Sequence, residues 1–275
     1  MNLMSIGELL LDAGKITTAD AEKILLAQKE KGLRFGDTAK ALNLVYEEDI
    51  QQALSKQFDF SFLANGNCGF SKELIAAYQP FAEQAETLRN IRSQLMLLWF
   101  NKDRKTLAIT SPSNGEGRSY LAANLAIAFS QLGKKTLLID ADLRKARQHQ
   151  LFGLDEKRGL SDLLAERADI SVISQIPVLR NLSILSAGTI PPNPSELISR
   201  RLSAVLEQMA LDFDVILLDT PAGLMNSESQ LLAAKARGAL LLARLHQTRL
   251  ADLEAIKHLF ESTGIACVGT VISNF

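Results

Sequence analysis

Thr110-Ser111-Pro112-Ser113-Asn114-Gly115-Glu116-Gly117-Arg118-Ser119 is the stretch on which the fold turns. It follows the apolar run Thr106–Thr110 and precedes a helical pattern from Tyr120 to Leu132. That is the setting of a loop that wraps a phosphate. Gly115 and Gly117 accept backbone angles closed to other residues, so the chain can turn its N–H groups inward. The helix start beyond adds unsatisfied N–H groups and a positive dipole end. Asn114, Gly115, Glu116, Gly117, Arg118, Ser119 and Tyr120 are the candidate ligand-binding residues, and the Ser119 hydroxyl suits Mg²⁺. Against the pattern G-x-x-x-x-G-K-[ST], Pro112 stands in place of the first glycine and Arg118 in place of the lysine. Arginine keeps the charge and grips phosphate oxygens in a fork, but it is longer and planar. The competing reading is a glycine-rich turn carrying a surface arginine.

Two further segments weigh against that alternative. Thr136-Leu137-Leu138-Ile139-Asp140-Ala141-Asp142 puts two carboxylates at the end of the next apolar run, and Val215-Ile216-Leu217-Leu218-Asp219 puts a third at the end of another. Other strand candidates are Leu182–Ser186, Ala239–Ala243 and Cys267–Ile272, with helical segments between. Such alternation predicts an α/β fold with a doubly wound, mostly parallel sheet. Strands buried on both faces read as continuous apolar runs. In a parallel sheet the strand ends share one edge, where ligands bind. Carboxylates beside bound phosphates repel them unless a hard cation sits between, so Asp140, Asp142 and Asp219 imply Mg²⁺. Each alone would read as a helix N-cap.

The N-terminal part follows a different rule. Ile6-Gly7 recurs as Phe35-Gly36, and the same 29-residue offset separates Gln28 from Gln57. Apolar positions at helical spacing predict four short helices in two related pairs. The expected organisation is a small all-α module over 1–60, a linker over 61–80 containing Asn65-Gly66-Asn67-Cys68-Gly69, and a nucleotide-type α/β domain over 81–275 opened by a helix from Glu83 to Phe100.

Composition bounds the function. A length of 275 residues suggests about two domains, and a formal net charge of −1 gives no field for a nucleic-acid polymer. Two cysteines, Cys68 and Cys267, provide neither a disulfide framework nor a metal site, which predicts a reducing cytoplasm. No apolar run approaches the ~18 residues of a membrane span, and the N-terminus does not read as a secretory signal. Any membrane association is therefore expected through a partner. His149, His246 and His258 show no partner pattern, Trp99 reads as packing, and Lys134-Lys135 as a solvated loop.

From about Glu83 onward the sequence resembles the bacterial tyrosine kinases that regulate polysaccharide chain length, relatives of the MinD-type P-loop ATPases. It is most similar to the soluble chain-length-determinant kinases of exopolysaccharide loci, in which Gly115-Glu116-Gly117-Arg118-Ser119-Tyr120 is a familiar string with arginine in the lysine place. The resemblance implies ATP and Mg²⁺ as cofactors. It places Asp140 and Asp142 in a second Walker-like motif and Asp219 in Walker B. Asp142 would then activate the tyrosine hydroxyl, while Ser119, Asp140 and Asp219 serve the metal and Arg118 the phosphates. It assigns Glu86, Arg89 and Arg92 to an E-x-x-R-x-x-R oligomerisation helix, for which a solvated helix face is the alternative. Gly188–Glu196 resembles a further family segment. Asn274 sits where related ATPases contact adenine, or is a plain loop residue. The implied partners are copies of the chain and a membrane-embedded chain-length determinant that recruits it to the inner membrane.

The family's tail of clustered tyrosines has no counterpart here, where the tyrosines are Tyr46, Tyr78 and Tyr120. Two functions follow: an ATP-dependent protein tyrosine kinase, or an ATP-driven assembly switch with little phosphate transfer. A MinD-like partitioning ATPase is disfavoured, since no amphipathic tail is expected beyond Phe275. The N-terminal repeat resembles the N-terminal domain of type II secretion and pilus-assembly ATPases, some of which bind cyclic di-GMP. On that resemblance Gly7, Gln28, Arg34, Gly36 and Gln57 are candidate contacts, although the first unit lacks the arginine. The alternative is a protein-docking module with structural glycines.

Overall fold

The computed structural model describes residues 5–57, 63, 69–155 and 157–274, without the side chains at 48, 51 and 55–57. The chain divides into two compact units, Met1–Gly66 and Asn67–Phe275.

In the first unit four helices form: α1 (Ile6–Asp12), α2 (Thr18–Lys31), α3 (Phe35–Ala41) and α4 (Glu47–Gln57). Ser5 with Glu8 and Thr17 with Asp20 form capping boxes that start α1 and α2, and Gly32 ends α2 in the left-handed region at φ 66°. Leu10, Ile16, Ile24, Ala39, Val45, Ile50 and Ala53 make its core. The repeat glycines have a packing reason. A Cβ on Gly7 would lie 3.1 Å from the Phe35 ring, and one on Gly36 3.1 Å from Ile50 Cδ1.

The second unit begins with α5 (Ile75–Tyr78) and α6 (Glu83–Leu98). Next come β1 (Thr106–Thr110), α7 (Arg118–Gln131), β2 (Thr136–Asp140), α8 (Gln148–Leu151), α9 (Leu160–Leu164), β3 (Ser174–Gln175) and β4 (Leu182–Leu185). The chain continues through α10 (Pro194–Asp212), β5 (Val215–Asp219), α11 (Ser227–Ala236), β6 (Gly238–Arg244), α12 (Leu250–Ser262) and β7 (Ala266–Ser273). The strands form one sheet in the order β3-β4-β2-β5-β1-β6-β7. All pairings are parallel except β3 with β4. β2 and β5 are buried along their full length, as their unbroken apolar runs require. The chain winds one way from β1 through β2 to β4, then turns back, inserting β5 between β2 and β1 before passing on to β6 and β7, so the ends of β1, β2 and β5 form a crevice.

The stretch expected as a linker differs in its second half, where residues 69–80 are built into the α/β unit. Asn124, wholly buried in α7, accepts the Ala76 N–H at 2.9 Å and donates to Glu73 O at 3.0 Å. Ser71 N–H reaches Leu151 O at 2.8 Å, and Phe70 meets Phe152 edge-on. Such bonds satisfy a backbone that would otherwise face an apolar helix. The short β3 is an antiparallel edge absent from the sequence expectation. Trp99 does pack: it is 4% exposed, its Nε1–H donates to Thr106 O, and a Cβ on Gly238 would strike its ring. No helix among the described residues is long and apolar enough to cross a membrane.

Candidate nucleotide site

The loop between β1 and α7 owes its shape to its glycines. Gly115 and Gly117 adopt φ of 79° and 95°, in the left-handed region that side chains disfavour. Gly117 is the N-cap of α7 and offers no side-chain cap, so the first N–H groups of this 14-residue helix face the crevice without one. Between the glycines, Glu116 turns inward and is 1% exposed. Its carboxylate accepts the Ser113 N–H at 2.7 Å and the Thr248 hydroxyl at 2.5 Å. Arg244 adds a bond from Nη1 to Gly115 O at 3.0 Å. Glu116 is thus a brace of the loop that ties it to the connection after β6.

Arg118 is buried, and its guanidinium spans the crevice. Nε donates to Thr220 O at 2.9 Å, while Nη1 donates to Ser111 Oγ and Ser113 O, each at 2.6 Å. Burial holds its pKa below the ordinary value, and the charges of Asp219, Asp142 and Glu116 work the other way. This arginine therefore joins the loop to the residue after Asp219.

Asp140 and Asp219 end β2 and β5 opposite each other in register. Asp140 Oδ2 accepts the N–H groups of Arg147 and Gln148, both at 2.8 Å. Asp219 Oδ2 accepts Gln148 Nε2–H at 2.7 Å, and the Ser119 hydroxyl also bonds this carboxyl. The other oxygen of each, Oδ1, is buried without a hydrogen-bond partner. Burial, reinforced by the Asp219 charge, raises Asp140 well above the usual carboxylate range. Burial pushes Asp219 up to about 6, against the hydrogen bonds from Gln148 and Ser119 and the charge of Arg118. Asp142 is 9% exposed and receives the N–H groups of Arg144 and Lys145 at 3.3 and 3.0 Å.

Two buried carboxylates that each leave one oxygen unpaired, next to a serine hydroxyl at a loop of inward N–H groups, have the donor set of a Mg²⁺-phosphate site. Among the described residues no group of three or more His, Cys, Asp or Glu is arranged to hold a metal alone.

Gln148 escaped the sequence reading. It is fully buried, its side chain bonds Ser119 O at 3.1 Å as well as Asp219, and its backbone N–H holds Asp140. Nothing local in the sequence marks it, since its role depends on the chain returning to the sheet edge after β2. Thr248 was missed for the same reason.

The remaining candidates are placed as follows. Tyr120 is half-buried on α7, raised by burial and then by the Glu73 charge. Asn274 is exposed just after β7, on the same sheet edge as the loop. Glu86 and Arg89 pair with each other on α6, and Arg89 also bonds Pro80 O. Arg92 points to α7, where Nη1 donates to Ala128 O at 3.1 Å. Ser195, in the Gly188–Glu196 segment, hydrogen-bonds the buried Glu228, which pairs with Arg144 at 3.1 Å. In the first unit Gly7 and Gly36 lie in the first turns of α1 and α3, Arg34 is exposed at the start of α3, and Gln28 lends its carbonyl to the Gly32 N–H. The Gln57 side chain lies outside the described residues.

Comparison with known proteins accords with this geometry. A family model described as ParA, NUBPL iron-transfer P-loop NTPase, matches residues 102–275. The chain is 35% identical over 188 residues to the putative tyrosine-protein kinase EpsB of Ralstonia nicotianae, covering 68% of this chain and 25% of that protein. It therefore spans about a quarter of the length of that relative. It is 33% identical over 196 residues to the putative tyrosine-protein kinase CapB of Staphylococcus aureus, covering 71% of this chain and 86% of that protein. Among solved structures, the chimerical protein CapA2B2 aligns with a TM-score of 0.70 and 31% identity over 82% of this chain and 98% of the other. The septum site-determining protein MinD of Pyrococcus horikoshii, complexed with Mg-ADP, aligns with a TM-score of 0.54 and 26% identity over 61% of this chain and 69% of the other. None of these similarities supports cyclic di-GMP binding.

Proposed function

We propose that this chain, which belongs to the bacterial tyrosine kinases within the ParA-type P-loop NTPases, binds Mg-ATP at the loop 111–119 and transfers the γ-phosphoryl group to a protein tyrosine. The observation that carries the reading is the pair Asp140 and Asp219, buried face to face with one unpaired oxygen each, beside Ser119. Buried carboxylates crowded this way are costly unless a cation completes them. Ser119, Asp140 and Asp219 would hold Mg²⁺ directly or through water, and the ion would neutralise charge on the phosphate oxygens.

The chain's own residues account for the rest. The N–H groups around Gly115 and Gly117 and at the start of α7 bind the phosphates, with Arg118 as the local cation. Gln148 orients both carboxylates. Asp142, less buried and off the strand end, takes the proton of the incoming tyrosine hydroxyl. Phosphoryl transfer demands little else of a protein, since positioning and charge stabilisation supply most of the effect. Asn274 would contact the adenine.

In this reading the kinase governs exopolysaccharide chain length, polymerisation and export. It acts as a homo-oligomer through Glu86, Arg89 and Arg92, on a membrane-embedded chain-length determinant that brings it to the inner membrane from the cytoplasm. The helical unit is its regulatory module. A second reading, an ATP-driven assembly switch, draws support from Arg118, whose guanidinium is already engaged by three oxygens of the loop and of Thr220. Phosphotyrosine mass spectrometry after incubation of the chain with Mg-ATP and its membrane partner separates the two. Phosphotyrosine on either protein is expected; nucleotide-dependent assembly without any phosphotyrosine would favour the switch.

A further inference from the structure

The sheet edge opposite the nucleotide loop carries chemistry that phosphoryl transfer does not use. In a parallel sheet the strand starts align as the strand ends do. The connections into β2, β5, β1 and β6 therefore form a row in that order. Backbone bonds fix the row, with Asp214 N–H donating to Lys135 O at 2.8 Å and Ile216 N–H to Lys105 O at 2.7 Å. Lys134 stands before β2, Lys102, Arg104 and Lys105 before β1, and Lys235 and Arg237 before β6.

These cations line two cavities of about 490 and 410 Å³ that share Lys102 and Lys105. Asp103 and Glu207 also line the first, and Asp214 the second. Lys105 Nζ is bonded to Ala210 O at 2.6 Å, and the Arg104 guanidinium lies 5.0 Å over the Trp99 ring. Lys102, Lys134, Lys235 and Arg237 make no ion pair among the described residues. A chain of net charge −1 thus gathers unpaired cations along one edge.

The helices that run to this edge end in exposed leucines. Leu97 and Leu98 close α6 at 86% and 62% exposed, Leu132 follows α7 at 47%, and Leu211 closes α10 at 82%. Helix C-terminal dipoles account for cations here but not for bare leucines. Basic side chains with apolar residues projecting among them are the make-up of a surface that lies on anionic lipid, the cations answering headgroup phosphates and the leucines reaching the acyl boundary. The leucines are spread over three helix ends and not gathered in one groove. A bilayer accepts separate anchors of that kind more readily than a protein partner does.

We propose that this edge binds the phosphate headgroups of an anionic bilayer. The nucleotide crevice then faces away from the lipid, at the far end of five-residue strands that are roughly 17 Å long. Recruitment to the membrane becomes a property of the chain itself, additional to any partner.

The test is co-sedimentation of the full chain with vesicles of phosphatidylcholine, with and without phosphatidylglycerol. Binding is expected only with phosphatidylglycerol, and it should fall as salt rises. Combining Lys102→Gln, Lys134→Gln and Lys235→Gln should weaken it roughly a hundredfold, at about fivefold per cation. Leu97→Ser with Leu211→Ser should weaken it at constant charge. Both variants should keep Mg-ATP affinity and the far-ultraviolet circular dichroism of the parent, which shows that they fold. Equal binding to both vesicles, no binding, or an unaffected triple variant overturns the proposal. Two further results also overturn it: charge-dependent binding to polyglutamate without vesicles, which points to an acidic protein, and loss of vesicle binding to millimolar inorganic phosphate at constant ionic strength, which points to a free phosphate ligand.

Discussion

Asp140 and Asp219 end adjacent parallel strands in register, and Gln148 holds both at once, one through its backbone N–H and the other through its side-chain amide. Each carboxyl keeps one buried oxygen without a partner. The folded chain thus sustains a repulsive pair that stability alone would not select, which is how sites poised for a cation are built.

Replacing one member of the pair should separate stability from function. Asp219 has a folded pKa of about 6 against 3.8 for the free carboxyl, so the empty protein binds extra protons between those values. The stability this group contributes is full below about pH 4 and is lost as pH rises through about 6. Asp219→Asn removes that loss. Thermal melting without nucleotide or Mg²⁺ should show the variant gaining roughly 1–3 kcal/mol over the parent at pH 7 and nothing at pH 4. Mg²⁺-dependent nucleotide binding should disappear in the same variant. A variant less stable at pH 7 than at pH 4, relative to the parent, would contradict the account.

Gln148→Leu keeps the bulk and the backbone bond to Asp140 but removes the amide from Asp219 and Ser119. Mg-ATP affinity measured by calorimetry should fall about tenfold, equivalent to about 1.4 kcal/mol. An unchanged affinity would show that Gln148 is only packing.

Thr248 lies far from the loop in sequence, yet its hydroxyl bonds buried Glu116. Thr248→Val leaves that carboxylate short of a donor at constant side-chain shape. Denaturant unfolding should report a loss of about 1–3 kcal/mol. Nucleotide affinity should fall with it, because Glu116 braces the Ser113 N–H that shapes the loop.

Much of the α/β unit was legible because buried parallel strands write themselves as unbroken apolar runs. Val215–Leu218 and Leu137–Ile139 announce strands, and the aspartates that follow announce the edge. The glycine spacing around Glu116 did the same for the loop. Gln148 and Thr248 were not legible, since both act through long-range approach and carry no local period. Residues 69–80 fall within the expected linker because of its turn formers, Asn65-Gly66-Asn67-Cys68-Gly69. What docks them is hydrogen bonding to Asn124 and Leu151, which no hydropathy pattern encodes. The two-residue β3 is too short to have a period at all.

If the chain phosphorylates itself, the acceptor should be Tyr46. It is 82% exposed at the start of α4, whereas the Tyr78 hydroxyl is bonded to Phe70 O at 3.1 Å and Tyr120 is half-buried on α7. Peptide mapping after incubation with Mg-ATP should place phosphotyrosine at Tyr46, and Tyr46→Phe should lose it. Phosphate found instead on Tyr78 or Tyr120 would show that exposure does not select the acceptor.

The most direct test of the central claim is the rate of tyrosine phosphorylation by the parent and by Asp142→Asn, each saturated with Mg-ATP, on a glutamate–tyrosine copolymer. The account expects nucleotide affinity to hold while the rate drops by about a hundredfold or more, the typical effect of losing a general base. Equal rates in the two proteins, or no phosphotyrosine from the parent, would contradict it.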